Sequence, residues 1–368
     1  MRVLVVAAPL TGHLLPLVPI ARALRDAGHE VVVGTTGDGL TVCPSDLGTA
    51  DVAPRLRMMP LFLRFAARHP RLARASMAGR DEIRTGAVLW APVSERMAGG
   101  LRELADRFRP DLVLHEPLAG AASDVAAHRG VPSVLVDALL VDTPALFAAV
   151  LAAYRPGLPG PAEILSVVPP SLVGGARGRP MRFLGFAPDR PFDETYASPG
   201  ERPRVLVSRS TVDDPFRDRL MSTVVDAAAA TDLDVVLVRP DRWVTGKRLP
   251  ATVRTTDWLP FPQVLPAAAG IVHHGGAGTL LTALAAGVPQ IVVRGSGDRR
   301  VNAEVLAARG AGIAADLSDF SPALLERLVG DASLTAAARE VAAEMAAMPH
   351  PSEVVPLLEQ VAARVPGR

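Results

Sequence analysis

The chain has 368 residues and is poor in several features that mark common protein classes. Cys43 is its only cysteine, so an intrachain disulfide and a metal site built from several thiolates are both excluded. A reducing, cytoplasmic setting is the expectation. Lys247 is the only lysine, no basic block occurs, the net charge is +1 and aromatic residues make up 4%, which argues against nucleic acid as the main partner. Long apolar runs are missing too. Residues 135–154 are broken by Asp137, Asp142 and Pro144, too interrupted for a membrane span. The hydrophobic start, residues 1–8, runs into Pro9 with no A-x-A-like cleavage site and reads as a first strand, not a signal peptide. The loop behind it lacks G-x-G-x-x-G, which argues against a nicotinamide or flavin dinucleotide there. No D-x-D-like acidic pair suited to Mg²⁺ stands out, so neither a metal nor a cofactor is expected.

With 49% hydrophobic and 21% charged residues, the chain is a folded protein long enough for two ordinary domains. It is organised around His273-His274-Gly275-Gly276-Ala277-Gly278-Thr279. A short apolar run, residues 269–272, precedes this stretch as a buried strand. A helix over 280–286, ended by Gly287, follows it. Where a strand turns into a helix, main-chain N–H groups lack partners and the helix dipole adds partial positive charge. Glycines admit a ligand close to the backbone, which suits a phosphate. A tight corner needs glycine as well; the histidine pair and Thr279 favour the anion site.

In chain order, residues 3–8 form a strand buried on both faces. The loop Pro9–Pro16 with His13 follows, then a helix over 17–27 closed by Gly28, and a second strand over 29–34. This β-loop-α-β opening is that of a doubly wound α/β fold. Residues 56–108 are helical in pattern and carry Met58, Met59, Phe62, Phe65 and Trp90, which suit either a pocket for a bulky apolar ligand or plain core. Residues 111–116 form a strand ending on His115 and Glu116. Residues 187–203, rich in Pro, Asp, Gly and Ser, read as a linker. A second α/β half begins at 204, with strands over 204–207, 234–238 and 290–293. The last helix opens at Pro351-Ser352-Glu353, with Ser352 as the expected N-cap. Two α/β halves predict a ligand cleft at the C-terminal ends of their strands.

Several stretches together resemble one family. Gly12-His13-Leu14-Leu15-Pro16 with Ala27-Gly28-His29-Glu30-Val31, then Asp257-Trp258-Leu259-Pro260, then residues 273–279, Ala286-Gly287-Val288-Pro289-Gln290 and Met348-Pro349-His350-Pro351 match in order and spacing the GT-B glycosyltransferases of family GT1. The likeness is to the bacterial natural-product enzymes, which attach deoxysugars to polyketides, macrolides and enediynes. It implies two Rossmann-like domains facing each other across a cleft: residues 1–186 for the acceptor, a linker over 187–203, and residues 204–350 for the nucleotide sugar. A C-terminal helix over 351–368 would cross back to the first domain.

The resemblance also implies residue roles. His13 would be the general base on the acceptor hydroxyl, which is chemically apt because imidazole titrates near neutrality. Glu116 matches the carboxylate that holds the other ring nitrogen, where many relatives carry aspartate; Asp124 and Asp137 are alternatives. His274 and the backbone of Gly276, Ala277, Gly278 and Thr279 would hold the pyrophosphate. Trp258 and Leu259 would receive the base of a nucleotide sugar, dTDP being favoured over UDP. Ser208 and Thr211 would touch phosphate or base, in a loop where Ser210 replaces a glycine. Asp298 and Arg299 stand where relatives bind sugar hydroxyls with Asp-Gln. Met58, Phe62, Phe65 and Trp90 would line the acceptor site. The implied activity is that of an inverting, metal-independent hexosyltransferase with a hydrophobic small-molecule acceptor. A nucleotide-sugar 2-epimerase of the same fold and a non-catalytic auxiliary relative are the alternatives, and a homodimer stays open.

Overall fold

A computed structural model describes residues 1–210, 219–246 and 248–364. Two compact units emerge. The first comprises residues 1–170, 174–186 and the chain from Met348 on; the second comprises 171–173 and 187–347.

The first unit is built on seven strands: β1 (Arg2–Val6), β2 (Glu30–Thr35), β3 (Gly48–Asp51), β4 (Leu112–His115), β5 (Ser133–Asp137), β6 (Glu163–Ser166) and β7 (Arg179–Pro180). They form one parallel sheet in the order β3-β2-β1-β4-β5-β6-β7. Val3 to Val6 are fully buried, as an apolar run must be when helices cover both faces of a parallel sheet. β1 pairs with β2 on one side and β4 on the other, with Val6 opposite both Gly34 and His115. The direction of winding reverses here, so the crevice beyond these strand ends is the natural ligand position. The helix Val18–Asp26 ends where Gly28 takes φ +86° and its N–H caps the Arg25 carbonyl.

The helical stretch 56–108 is three helices, Met58–Arg68, Pro70–Met77 and Glu82–Phe108, interrupted at Pro70 and at Gly79, where φ is +65°. The first buries only Leu61. The third buries a long face, including Trp90, Met97 and Leu101, and packs on the helix Thr143–Tyr154. The final helix, Pro351–Ala363, packs on Val18–Asp26 within the same unit. Its cap is His350 rather than Ser352. The His350 ring accepts the Ser352 N–H at 3.2 Å, and Glu353 reaches back to the His350 N–H at 2.6 Å, a reciprocal pair that a Ser N-cap two residues later would forfeit.

The second unit holds β8 (Arg204–Ser208), β9 (Asp234–Val238), β10 (Val253–Thr256), β11 (Gly270–His273), β12 (Gln290–Val293) and β13 (Gly312–Ala315), in the parallel order β10-β9-β8-β11-β12-β13. Its winding reverses between β8 and β11, where Ser208 lies opposite His273. Residues 187–203 belong to this unit. Buried Arg204 donates to the Tyr196 and Ser198 carbonyls at 3.1 and 2.9 Å and pairs with Asp234, so the segment is tied down although its composition is that of a linker. Among the described residues no helix is long and apolar enough to cross a membrane.

Candidate active site

In the first unit the switch point gathers a histidine and a carboxylate. His13 sits on the short helix Thr11–Leu14 just after β1, and Glu116 follows β4. His13 Nδ1 lies 2.8 Å from Glu116 Oε2. The carboxylate is buried and anchored: Oε1 accepts the Ala8 N–H at 3.0 Å and Oε2 the Leu118 N–H at 2.9 Å. A carboxylate beside Nδ1 selects the tautomer with the proton there and leaves the Nε2 lone pair to act as a base. The alternative carboxylates are engaged elsewhere. Asp124 pairs with Arg102 and Arg155, and Asp137 accepts from Thr143 at 2.6 Å and Ser166 at 3.2 Å. Burial raises the Asp137 pKa, against the pull of these hydrogen bonds.

Trp90 is buried with its ring 6.1 Å from that of His13. A narrow recess at His13 is lined by Gly12, His13, Pro16, Leu17, Glu116 and Pro117, among others, and not by Trp90. Met58, Phe62 and Phe65 do not border this recess: Phe62 is exposed, and Phe65 is half-buried against His69. The helix Met58–Arg68 fully buries only Leu61, with Met58 and Phe65 half-buried. A wider groove of about 670 Å³ lies between Val18–Asp26 and the final helix and involves neither His13 nor Glu116.

In the second unit the two adjacent histidines do different things. His273 is fully buried and structural: its Nδ1 accepts the Gly275 N–H at 3.1 Å, and Nε2 faces Gln290 Oε1 at 2.8 Å. Burial pushes its pKa down to about 4, so the ring is neutral. The His274 ring is nearly perpendicular to it, at 83°. Burial drives His274 well below 6.5, with His273 and Arg299 acting in the same direction and the Ser208 backbone opposing them, and among the described residues its Nδ1 has no hydrogen-bond partner. Nε2 of His274 lies 2.6 Å from where a Cβ on Gly276 would stand, so glycine at 276 is what lets the ring sit there. Gly275 takes φ +89°, a conformation only glycine adopts without strain. Gly276 then begins the helix Ala277–Ala285, whose first turn has no side-chain cap and no acid. Asn302 locks the loop, donating to the Gly275 carbonyl at 2.8 Å and to Asp298 Oδ2 at 2.9 Å.

Around this loop, Trp258 is half-buried, with Phe192 at its edge and Arg190 over its ring at 5.6 Å. Leu259, expected to touch the base, has its side chain buried in the core with Leu206, Val236 and Ile271. Ser208 is buried at the end of β8. Thr211 lies outside the described residues. Arg299 reaches Ser210 Oγ at 3.0 Å. Sequence reasoning missed the supporting roles of Gln290 and Asn302. Gln290 closes a motif stretch, and Asn302 lies one helical turn beyond Asp298, which is the only signal either gives.

Two parallel-sheet units, one presenting a His–carboxylate pair and the other a Gly-rich helix start, define a GT-B glycosyltransferase. Models described as Erythromycin biosynthesis protein CIII-like, N-terminal domain and C-terminal domain, match residues 22–157 and 222–361. The chain is 36% identical over 377 residues to Elloramycin glycosyltransferase ElmGT of Streptomyces olivaceus, covering 96% of each. The solved structure of the glycosyltransferase SnogD from Streptomyces nogalater superposes with a TM-score of 0.82 at 32% identity, covering 98% of this chain and 99% of that one. SsfS6 from Streptomyces sp. SF2575, complexed with thymidine diphosphate, gives a TM-score of 0.82 at 28% identity, with 98% and 99% covered. The chain belongs to the Erythromycin biosynthesis protein CIII-like family and is a glycosyltransferase of antibiotic biosynthesis.

Proposed function

We propose that this glycosyltransferase moves a deoxysugar from a dTDP donor onto a hydroxyl of an apolar natural-product aglycone, with inversion and without a metal. The observation that carries the reading is the 2.8 Å contact between His13 and a buried, anchored Glu116. In this reading Nε2 of His13 takes the acceptor proton while the alkoxide oxygen forms its bond to sugar C1. Glu116 stabilises the imidazolium that results. The C1–diphosphate bond breaks on the opposite face, which inverts C1. Electron density moves onto the departing dTDP, where His274 and the N–H groups of residues 276–279 supply preorganised donors. A neutral His274 fits this role, because it donates a hydrogen bond without needing acid pH. The thymidine diphosphate bound by SsfS6 supports the choice of nucleotide, and Trp90 beside His13 supports an apolar acceptor.

The test is incubation with a panel of dTDP-sugars and apolar aglycones in the presence of EDTA. The expected result is a mass gain of one sugar with release of dTDP, which neither an epimerase nor an auxiliary protein would give. His13→Ala should lower turnover by about a thousandfold while leaving dTDP binding unchanged. Near-normal turnover by that variant would remove His13 from the mechanism.

A further inference from the structure

Arg299 opens the helix Arg299–Arg309 after β12, yet its guanidinium is found at the end of β8. The stem passes the loop after β11. Its Cβ stands 3.2 Å from where a Cβ on Gly275 would be, and its Cδ 2.9 Å from the same point on Gly295. Nη2 then donates to Ser210 Oγ at 3.0 Å. Because β8, β11 and β12 are neighbours in the sheet, one side chain bridges three adjacent strand ends across the switch point. Ser210 is buried and is held from its other side as well, where Arg239, after β9, donates to its main-chain oxygen. Arg239 adopts φ +57°, uncommon for a side chain without local need of it.

Arg299 is half-buried and, among the described residues, has no carboxylate within ion-pair distance. A cation withdrawn from water without a counter-charge is costly unless an anion comes to it. One hydroxyl occupies a small part of its five N–H donors. The field of this guanidinium reaches His274, whose ring rests against the start of the helix Ala277–Ala285. An anion at that helix start would therefore meet the helix dipole, the His274 ring and Arg299 together. We propose that Arg299 is a diphosphate-binding arm, held in place by Ser210, that adds a full positive charge to the leaving-group site. This rests on reading the second unit as the nucleotide-sugar site. A guanidinium grips phosphate oxygens in a bidentate way that a neutral amide cannot. Arg299 touches the ligand; Ser210 is a positioning residue acting through it.

The test is calorimetric titration of thymidine, TMP and TDP, at one salt concentration, into wild type, R299Q, R299K, S210A and the double variant S210A/R299Q. R299Q should weaken TDP binding by about ten- to a hundredfold and leave thymidine unchanged. R299K should fall between R299Q and wild type. S210A should weaken TDP less than R299Q does, and the double variant should be no weaker than R299Q alone. Failure of the wild type to bind TDP would overturn the nucleotide-sugar reading itself. TDP binding by the wild type that R299Q leaves intact would overturn the arm. Additive losses in the double variant would overturn the role of Ser210. If R299Q does not fold, S210A carries the test: unchanged TDP affinity there counts against the proposal.

Discussion

At the scale of single residues, Glu116 shows how the main chain fixes a carboxylate against a histidine. Main-chain N–H groups from Ala8 and Leu118 hold it from two sides, leaving Oε2 aimed at His13. Substitution by glutamine would keep the shape and spoil the bonding, since its NH₂ cannot accept from a backbone N–H or hold the Nδ1 proton of His13. Glu116→Gln should therefore reduce turnover by about a hundredfold or more with dTDP affinity intact, measured by steady-state kinetics beside calorimetry. Unchanged turnover would show that the carboxylate does not orient the base. Glu116 was legible as a strand-end residue because it follows the apolar strand β4 directly, whereas His13 lies further on, in the helix Thr11–Leu14 after β1, and the pairing of the two was implied by the family resemblance and not by the pattern. Met58, Phe62 and Phe65 were not legible in the same way. An amphipathic helix reports that one face is apolar, not whether core, ligand or solvent meets it.

At the scale of an element, the turn after β11 was legible as a Gly-rich corner between a strand and a helix, but the division of labour between its histidines was not. Both rings sit at a strand end. Only the cross-strand neighbour Gln290 and the turn geometry at Gly275 make His273 the internal brace, with His274 left at the helix start. Gly276 matters through that ring. Gly276→Ala would place a methyl 2.6 Å from His274 Nε2, and the ring would have to move. Because φ at Gly276 is −66°, alanine meets no backbone strain and the unit should fold normally. The expected outcome is a loss of about tenfold in dTDP affinity with an unchanged thermal midpoint. Equal affinity would mean that the His274 ring does not contribute to the anion site.

At the scale of the whole molecule, parallel sheets were legible from runs such as Val3 to Val6, whereas the hold of buried Arg204 on the Tyr196 and Ser198 carbonyls within 187–203 was not, because composition does not reveal where a carbonyl finds its donor. Each unit also buries a neutral histidine as the last residue of a strand beside its switch point: His115 on β4 and His273 on β11. Burial pushes both down to about 4 from a free value of 6.5. The sign of the resulting pH dependence is fixed. Between 6.5 and about 4 the unfolded chain binds protons that the folded chain refuses, so stability is full above 6.5 and falls as pH drops, by up to about 3 kcal/mol per ring. Asp46, whose pKa the neighbouring Arg22 holds at about 2, loses its contribution only below this window, and buried Asp137, shifted upward, opposes the trend without reversing two histidines. His115 is the cleaner one to remove. Among the described residues its Nε2 has no partner, its Nδ1 lies 3.1 Å from the Glu116 carbonyl, and its ring lies 4.9 Å from that of Phe147, so phenylalanine keeps the aromatic packing and gives up one hydrogen bond. Urea unfolding followed from pH 7 to about 4 should show the wild type losing stability steadily, and His115→Phe losing it with a shallower slope. Identical slopes for the two proteins would mean that the buried ring at 115 is not what makes the fold sensitive to acid.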